Sequence, residues 1–146
     1  MKEAIVYIVA QLVGGMLGAL LVKLTIPDSL TQVASLGTPM LAANMSTGSG
    51  ILMEALLTFF LVTVVYGTAI DNRAPKVGGL FIGLTITLDI LAGGPLTGAS
   101  MNPARTFGPA IVGGYWNHHI VYWLGPLLSG IASGLYYSKH LGKEGM

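Results

Sequence analysis

Long apolar runs separated by short polar segments dominate the chain. A helix needs about 20 residues to cross the roughly 30 Å hydrocarbon core of a bilayer. Three runs reach that length, and a fourth is slightly short but holds no Lys or Arg; in chain order they are Ala4 to Ile26, Gly50 to Ile70, Val77 to Gly93 and His118 to Ser138. The pattern predicts four transmembrane helices.

Polar segments and cations set the expected orientation. A Gly/Pro/Ser-rich loop follows the first run, and the sequence DNRAPK predicts a tight turn after the second. With four crossings, five of the seven cations fall on one side of the membrane: Lys2, Arg73, Lys76, Lys139 and Lys143. Because cations concentrate on the cytoplasmic side, both termini are predicted to be cytoplasmic.

Composition narrows the function classes. The chain has 146 residues, of which 53% are hydrophobic and only 9% charged, whereas soluble domains average about a quarter charged residues. A net charge of +1 favours neither nucleic acid nor another strongly charged partner. The absence of cysteine excludes disulfides and thiolate metal sites. No Ser/His/Asp set, phosphate loop or metal spacing is present, so neither an enzyme nor a cofactor is expected.

The segment 94–114, between the last two runs, breaks the apolar pattern with three prolines, an Asn and an Arg. Asn102 suits an N-cap and Pro103 the first position of a helix. A helix from Asn102 to about Val112 would be about 16 Å long, half a bilayer. Since irregular backbone survives at membrane depth only inside protein or beside water, we predict a re-entrant loop and half-helix. An ordinary loop with a Pro-rich turn is the alternative.

The N-terminus of such a half-helix has a defined electrostatic character. It carries about half a positive charge, to which Arg105 adds a full one, and the Asn102 amide is free to donate. In a narrow pore, donors and positive potential let a neutral hydrogen-bonding molecule pass and repel protons and cations. The small residues before Asn102 allow close approach of the backbone.

An internal repeat relates the two ends of the chain. The sequence IVYIVAQLVGGMLGAL, from Ile5, aligns without gaps with IVYWLGPLLSGIASGL at an offset of 115 residues. Weak internal symmetry of this kind is typical of duplicated channel and transporter folds. The turn that precedes the second copy has no counterpart before the first, so a matching upstream segment is expected to be missing.

The sequence GASMNPARTFGPA resembles the second Asn-Pro-Ala signature of the aquaporin, or major intrinsic protein, family. The sequences AQLVGG, ILMEALLTFF and NHHIVYWLGPLLSG resemble the family's third, fourth and sixth spans. The segment ILAGGPLTGASMNPARTFGPA is most similar to bacterial aquaporins and plant tonoplast intrinsic proteins. The resemblance implies an all-α membrane protein with a partial aquaporin-like fold, lacking the first two spans and first half-helix. One domain, 1–146, would hold the last span of the first repeat and a loop (1–49), then the second repeat (50–146).

The resemblance also assigns residues. Asn102, Pro103 and Ala104 would form the pore signature, Arg105, Ile90 and Ala99 the selectivity filter, and Glu54 the support of the re-entrant loop. Ile90 and Ala99 imply a wider, less polar filter than that of strict water channels, which suits ammonia or urea as well as water. Thr106 stands where glycerol facilitators carry Asp. The implied partners are lipid, water or small neutral solutes and further copies of the chain, as the family's tetramer, in a multi-pass location at the plasma membrane.

Other polar residues receive structural interpretations. Asp89 is expected to bind the loop or a neighbouring subunit, and His118 and His119 to anchor the last span beside tryptophans. Glycines four residues apart, such as Gly14 and Gly18 or Gly79 and Gly83, are typical of helix packing. A lone chain would leave its loop without an opposing half-helix, so we expect an incomplete pore. The alternative function is a truncated, non-transporting remnant or an assembly subunit.

Overall fold

The computed structural model describes residues 2–74 and 76–141. Six α-helices account for most of them, α1 to α6 in chain order: Lys2–Thr25, Asp28–Val33, Thr47–Val65, Gly78–Thr97, Pro103–Gly113 and Val121–Tyr136. A 3₁₀ turn follows α2 at Ser35–Gly37, and π-helical turns extend α3 over Tyr66–Ile70 and α6 over Tyr137–Leu141. The all-α fold class with a half-length helix is confirmed. Lys143, used above for orientation, lies outside the described residues.

Three of the described helices are long and apolar enough to cross a membrane: α1, α3 with its π turn, and α4. The last predicted span is shifted by three residues, because α6 begins at Val121 rather than His118 and its π turn ends at Leu141 rather than Ser138; α6 itself has 16 residues. At 1.5 Å per residue it is about 24 Å long, and the π turn at Tyr137–Leu141 extends it. The predicted loop between the first two spans is also partly wrong, since it contains α2.

Helix α4 corrects a second boundary. The apolar run predicts an end at Gly93, but the helix continues through Pro95 to Thr97 and ends at Gly98, whose φ of 83° is left-handed. Pro95 removes one backbone donor and lies in the last turn, where the helix loses only one bond before it ends. Only 98–102 therefore separate α4 from the half-helix α5, and this short segment carries most of the predicted filter loop.

Helix α3 is the centre of the packing. It contacts α6 along its length and α4 on a neighbouring side, while α1 packs against α5. Glycine permits the closest approach, because a Cβ on Gly125 of α6 would lie 2.8 Å from Glu54 Cβ and 2.8 Å from Ile51 O. The Ser129 hydroxyl donates to Ala55 O across the same interface. Close backbone contact supplies attraction between helices in hydrocarbon, where the hydrophobic effect does not.

Most of the glycines in the pairs singled out in the sequence have no close neighbour in the described chain. A Cβ on Gly14, Gly18, Gly79 or Gly83 would meet no atom within 4 Å among the described residues. Helix α1 instead uses Gly15, where a Cβ would lie 2.6 Å from Ala104 O of α5. The prediction of helix packing is therefore wrong for these two pairs within the described chain. In the third such pair, Gly130 and Gly134, it holds for Gly134 alone, where a Cβ would lie 3.3 Å from the Tyr66 hydroxyl oxygen.

Candidate functional site

The half-helix α5 begins at Asn102 as its sequence predicts. Asn102 is the N-cap in extended conformation, and its side-chain oxygen accepts from Ala104 N at 2.9 Å and Arg105 N at 3.4 Å. Pro103 occupies the first helical position, where no backbone donor is needed. The oxygen is thereby occupied, and the Asn102 side-chain NH₂ makes no hydrogen bond to a described residue. The cap leaves a free donor at the positive end of the helix.

A cavity of about 240 Å³ lies at this helix end. The structure brings four predicted site residues together in its lining, from α4, the 98–102 loop and α5: Ile90, Ala99, Asn102 and Arg105. Leu61 and Ile86 add apolar side chains to the same lining. The Arg105 guanidinium has no hydrogen-bond or ion-pair partner among the described residues. The cavity therefore combines donors that have no partner among the described residues with apolar side chains.

Glu54 holds the loop from inside the protein. The carboxylate is fully buried, with one oxygen accepting from Ser100 N at 2.9 Å and the other from Met101 N at 2.7 Å. The Thr97 hydroxyl donates to the first oxygen at 2.7 Å. Three donors share the negative charge, which is how a buried carboxylate is tolerated without a cation. Glu54 thus fixes two successive backbone amides just before Asn102.

The loop backbone is strained. Ala99 and Met101 both have positive φ, at 44° and 55°, a region that residues with a Cβ rarely adopt. Such conformations persist only where the surroundings determine them, and they concentrate at functional sites. Here the strained conformation is held by the two backbone hydrogen bonds to Glu54 and by a third, in which Ala99 N donates to Thr97 Oγ1 at 3.2 Å.

Sequence reasoning missed a second group of loop contacts. The Tyr122 hydroxyl, fully buried on α6, donates to Thr97 O at 2.8 Å. The Ser100 hydroxyl donates to Asn102 O at 2.9 Å and contacts the Thr106 hydroxyl. Thr106, noted above as a selectivity marker, is fully buried, so it acts on the loop through Ser100 rather than by lining the cavity. The hydroxyl-rich loop sequence was a signal for such contacts, whereas Tyr122 lies too far along the chain.

The remaining polar candidates lie apart from the cavity. Asp89 is buried, and its Oδ2 has no hydrogen-bond partner among the described residues, so the expected bond to the loop is absent. His119 packs against Trp116, Trp123 and Phe107 at centroid distances of 4.7 to 6.5 Å. Over residues 2–74 and 76–141, no group of three or more His, Asp or Glu residues could hold a metal ion.

Membrane-length helices and a half-helix that begins beside a cavity with polar and apolar lining define a multi-pass helical membrane protein with a re-entrant loop. The family model described as "Major intrinsic protein" matches residues 1–137. The chain belongs to the major intrinsic protein family.

Curated relatives agree with the family. The chain is 49% identical to "Aquaporin TIP4-4" of Zea mays, 47% to "Probable aquaporin TIP3-2" of Arabidopsis thaliana and 42% to "Probable aquaporin TIP4-1" of Oryza sativa subsp. japonica. These matches cover 90%, 92% and 91% of the chain but 51%, 50% and 52% of the respective relatives. The chain therefore spans about half the length of the curated relatives it matches.

Proposed function

We propose that the chain supplies one wall of a channel for the passive passage of water and small neutral solutes. The observation that carries this proposal is the cavity at the start of α5, where the Asn102 NH₂ group and the Arg105 guanidinium have no partner among the described residues and share the lining with apolar side chains. A neutral molecule that leaves bulk water can form hydrogen bonds with these donors instead, so it enters the cavity at little cost in free energy. A cation is repelled by the positive potential at the same place. The site calls for no cofactor, and we propose no catalysis.

Proton and cation exclusion follows from the same groups. The N-terminus of α5 contributes about half a positive charge and Arg105 a full one. A single donor at Asn102 also orients each passing water molecule, since the Asn102 oxygen is held by Ala104 N and Arg105 N. These features support two ways of excluding protons and cations: repulsion by the positive potential, and the fixed orientation of the water molecules that pass Asn102.

The filter composition supports solutes larger than water. Ile90 and Ala99 place a branched apolar side chain and a methyl group beside Arg105, with no imidazole to narrow the passage. We propose that ammonia or urea passes as well as water. Helices α1 and α4 remain largely exposed, which fits a chain that assembles with further polypeptide: the other half of an aquaporin-like fold and, as in the family, further copies. Plasma-membrane placement with cytoplasmic termini stays a prediction.

Flux through proteoliposomes tests the proposal. The chain, which spans about half of Aquaporin TIP4-4 of Zea mays, is reconstituted alone and as a fusion behind the first half of that relative, chosen to supply the two spans and the half-helix that we expect to be missing. We expect the fusion to conduct water and urea above protein-free lipid, and the chain alone to conduct little. Arg105→Ala should then admit larger neutral solutes, and Ile90→His should restrict flux towards water.

Two results would contradict the proposal. A fusion that is helical and monodisperse but does not conduct would favour the alternative, a non-transporting remnant or assembly subunit. If the fusion conducts but its urea-to-water flux ratio is the same with Arg105→Ala and with Ile90→His as in the unsubstituted fusion, these side chains do not line the solute path. Leu91→Ala, one position beyond Ile90 and 72% exposed, is the matched control and should leave the ratio unchanged.

A further inference from the structure

An extended segment between α2 and α3 lies across the end of α4. This segment, Thr38–Ala42, is here called the strap. Its backbone joins the last turn of α4, because Ala42 N donates to Leu96 O at 2.8 Å. Thr38 and Pro39 are buried, although they belong to a connection between helices. A connecting segment with buried residues and a bond to a distant helix is a fixed part of the structure.

The strap touches the turn that begins the filter loop. Gly98 caps α4 with a φ of 83° and is followed directly by Ala99. A Cβ on Gly98 would lie 2.9 Å from Pro39 Cα and Cβ and 3.3 Å from Met40 N. This separation is shorter than real Cβ contacts allow, so Pro39 and Gly98 are as close as a glycine permits.

The far end of the strap is anchored in the helix core. A Cβ on Gly50, at the start of α3, would lie 2.6 Å from Leu41 Cδ2 and 3.3 Å from Val121 Cγ1. Leu41 therefore fills a notch between α3 and α6 that exists because residue 50 is glycine. Leu41 and the bond from Ala42 to Leu96 O therefore hold the strap directly after Pro39, which lies against Gly98.

We propose that the strap is a positioning element for solute selectivity, and this inference rests on the proposed function. Glu54 binds the backbone amides of Ser100 and Met101 in the strained 99–101 loop, and the strap contacts Gly98, the residue directly before that loop. Moving Gly98 moves Ala99, which lines the cavity with Arg105. The width of the filter thus depends on residues of the connection between α2 and α3, none of which lines that cavity.

Two glycines provide a matched test. Gly98 and Gly114 are both left-handed helix caps, with φ of 83° and 80°, but Gly114 has nothing within 4 Å of an added Cβ. Gly98→Ala and Gly114→Ala therefore share the backbone strain and differ in the contact with Pro39. Leu41→Ala loosens the anchor without touching the loop, and Met45→Ala, beyond the strap, is its control.

Hydrogen exchange of the amides of residues 99–101 in lipid nanodiscs is the first readout. We expect exchange about tenfold faster in Gly98→Ala and Leu41→Ala, with both controls near wild type. The second readout is the urea-to-water flux ratio of the conducting fusion, which should rise in the same two variants. Unchanged exchange in Leu41→Ala, or faster exchange with an unchanged ratio, would overturn the proposal. The hydrogen-exchange measurement tests the role of the strap even if the fusion does not conduct. A failure of this inference can therefore be told apart from a failure of the proposed channel function.

Discussion

The two copies of the repeat, helices α1 and α6, bury different faces. Gly15 of α1 packs against α5, where a Cβ would lie 2.6 Å from Ala104 O, but its equivalent in α6, Gly130, faces open space. In α6 the packed glycine is Gly125, which lies against α3, and its equivalent in α1, Ala10, is exposed. At these two positions, each copy leaves exposed the site that the other copy packs.

This difference teaches that a small residue permits close packing without specifying it. The same pattern of glycine and alanine at an offset of 115 residues allows two backbone contacts per helix. Which one forms is decided by the element that is present beside it, α5 for α1 and α3 for α6. The bare face of α6 is consistent with a chain that spans about half the length of its relatives.

The largest effect is expected where α6 meets α3. Gly125→Val would force its side chain into Glu54 and Ile51, and we expect a loss of about 3 kcal/mol, near the upper end for overpacking. Thermal unfolding in detergent followed by circular dichroism measures it. Gly130→Val is the matched control on the bare face and should leave the midpoint unchanged. Equal losses in both variants would show that Gly130 is not bare in the folded chain.

A smaller effect is expected where α1 meets α5. Gly15→Val would collide with the Ala104 carbonyl, and we expect a loss of about 2 kcal/mol, because α1 can move away without exposing buried polar groups. The adjacent Gly14→Val, which meets no described atom, should have little effect. The same unfolding assay reads both variants, and a Gly14→Val loss as large as that of Gly15→Val would contradict the packing.

Hydrogen bonds to the Asp71 carboxylate hold the C-terminal end of α6, and their contribution to stability depends on pH. The Asp71 carboxylate accepts from Arg73 and, at 2.6 Å, from the Tyr137 hydroxyl, and these bonds hold the pKa of Asp71 well below its ordinary value. A lowered carboxyl pKa contributes stability above the unfolded value of about 3.9, and this contribution is lost as the pH falls further. The midpoint difference between wild type and Asp71→Asn should be constant from pH 7 to about pH 5 and shrink below. A difference that grows with acidity would contradict the assignment.

The smallest effect concerns the corresponding end of α1. Lys23 Nζ donates to Val112 O, near the C-terminus of α5, at 3.4 Å and in an exposed position. A cation there complements the helix dipole by about 0.5 kcal/mol at low salt. Lys23→Met should lower the unfolding midpoint slightly at low ionic strength and not at high, whereas Lys2→Met should change neither. Salt-independent destabilisation would assign Lys23 a packing role instead.

Local signals predicted the half-helix well. Asn102 followed by Pro103 is a helix start whose physics is contained in two adjacent residues, and the structure has the cap where the sequence predicts it. The end of α4 was predicted four residues too early, because Gly93 and Pro95 are helix breakers by propensity. Packing against Leu57 overrides that propensity, since a Cβ on Gly93 would lie 2.4 Å from Leu57 Cδ1.

The contacts that shape the loop were beyond sequence reasoning. Tyr122 reaches Thr97 O from another helix, and Pro39 reaches Gly98 from a connection that the composition predicts to be an irregular polar loop. The two residues of each pair lie far apart in the sequence. Neither a tyrosine nor a proline indicates by its type which residue it will contact. Glu54 was found through the family resemblance; its burial in a span marks it as functional or structural, but only the fold shows the amides that it binds.

The central claim is that the cavity beside Arg105 is filled with water while the outer faces of the helices meet lipid. Single cysteines at Ile90 and Leu91 test it, because the chain has no cysteine of its own and the first half of the fusion can be made cysteine-free. Both side chains are open in the structure, 48% and 72% exposed, so only the surrounding medium distinguishes them. A charged, water-soluble thiol reagent applied to the reconstituted fusion should modify Ile90→Cys rapidly and block its flux, and leave Leu91→Cys unmodified. Equal modification of the two, or faster modification of Leu91→Cys, would contradict the claim.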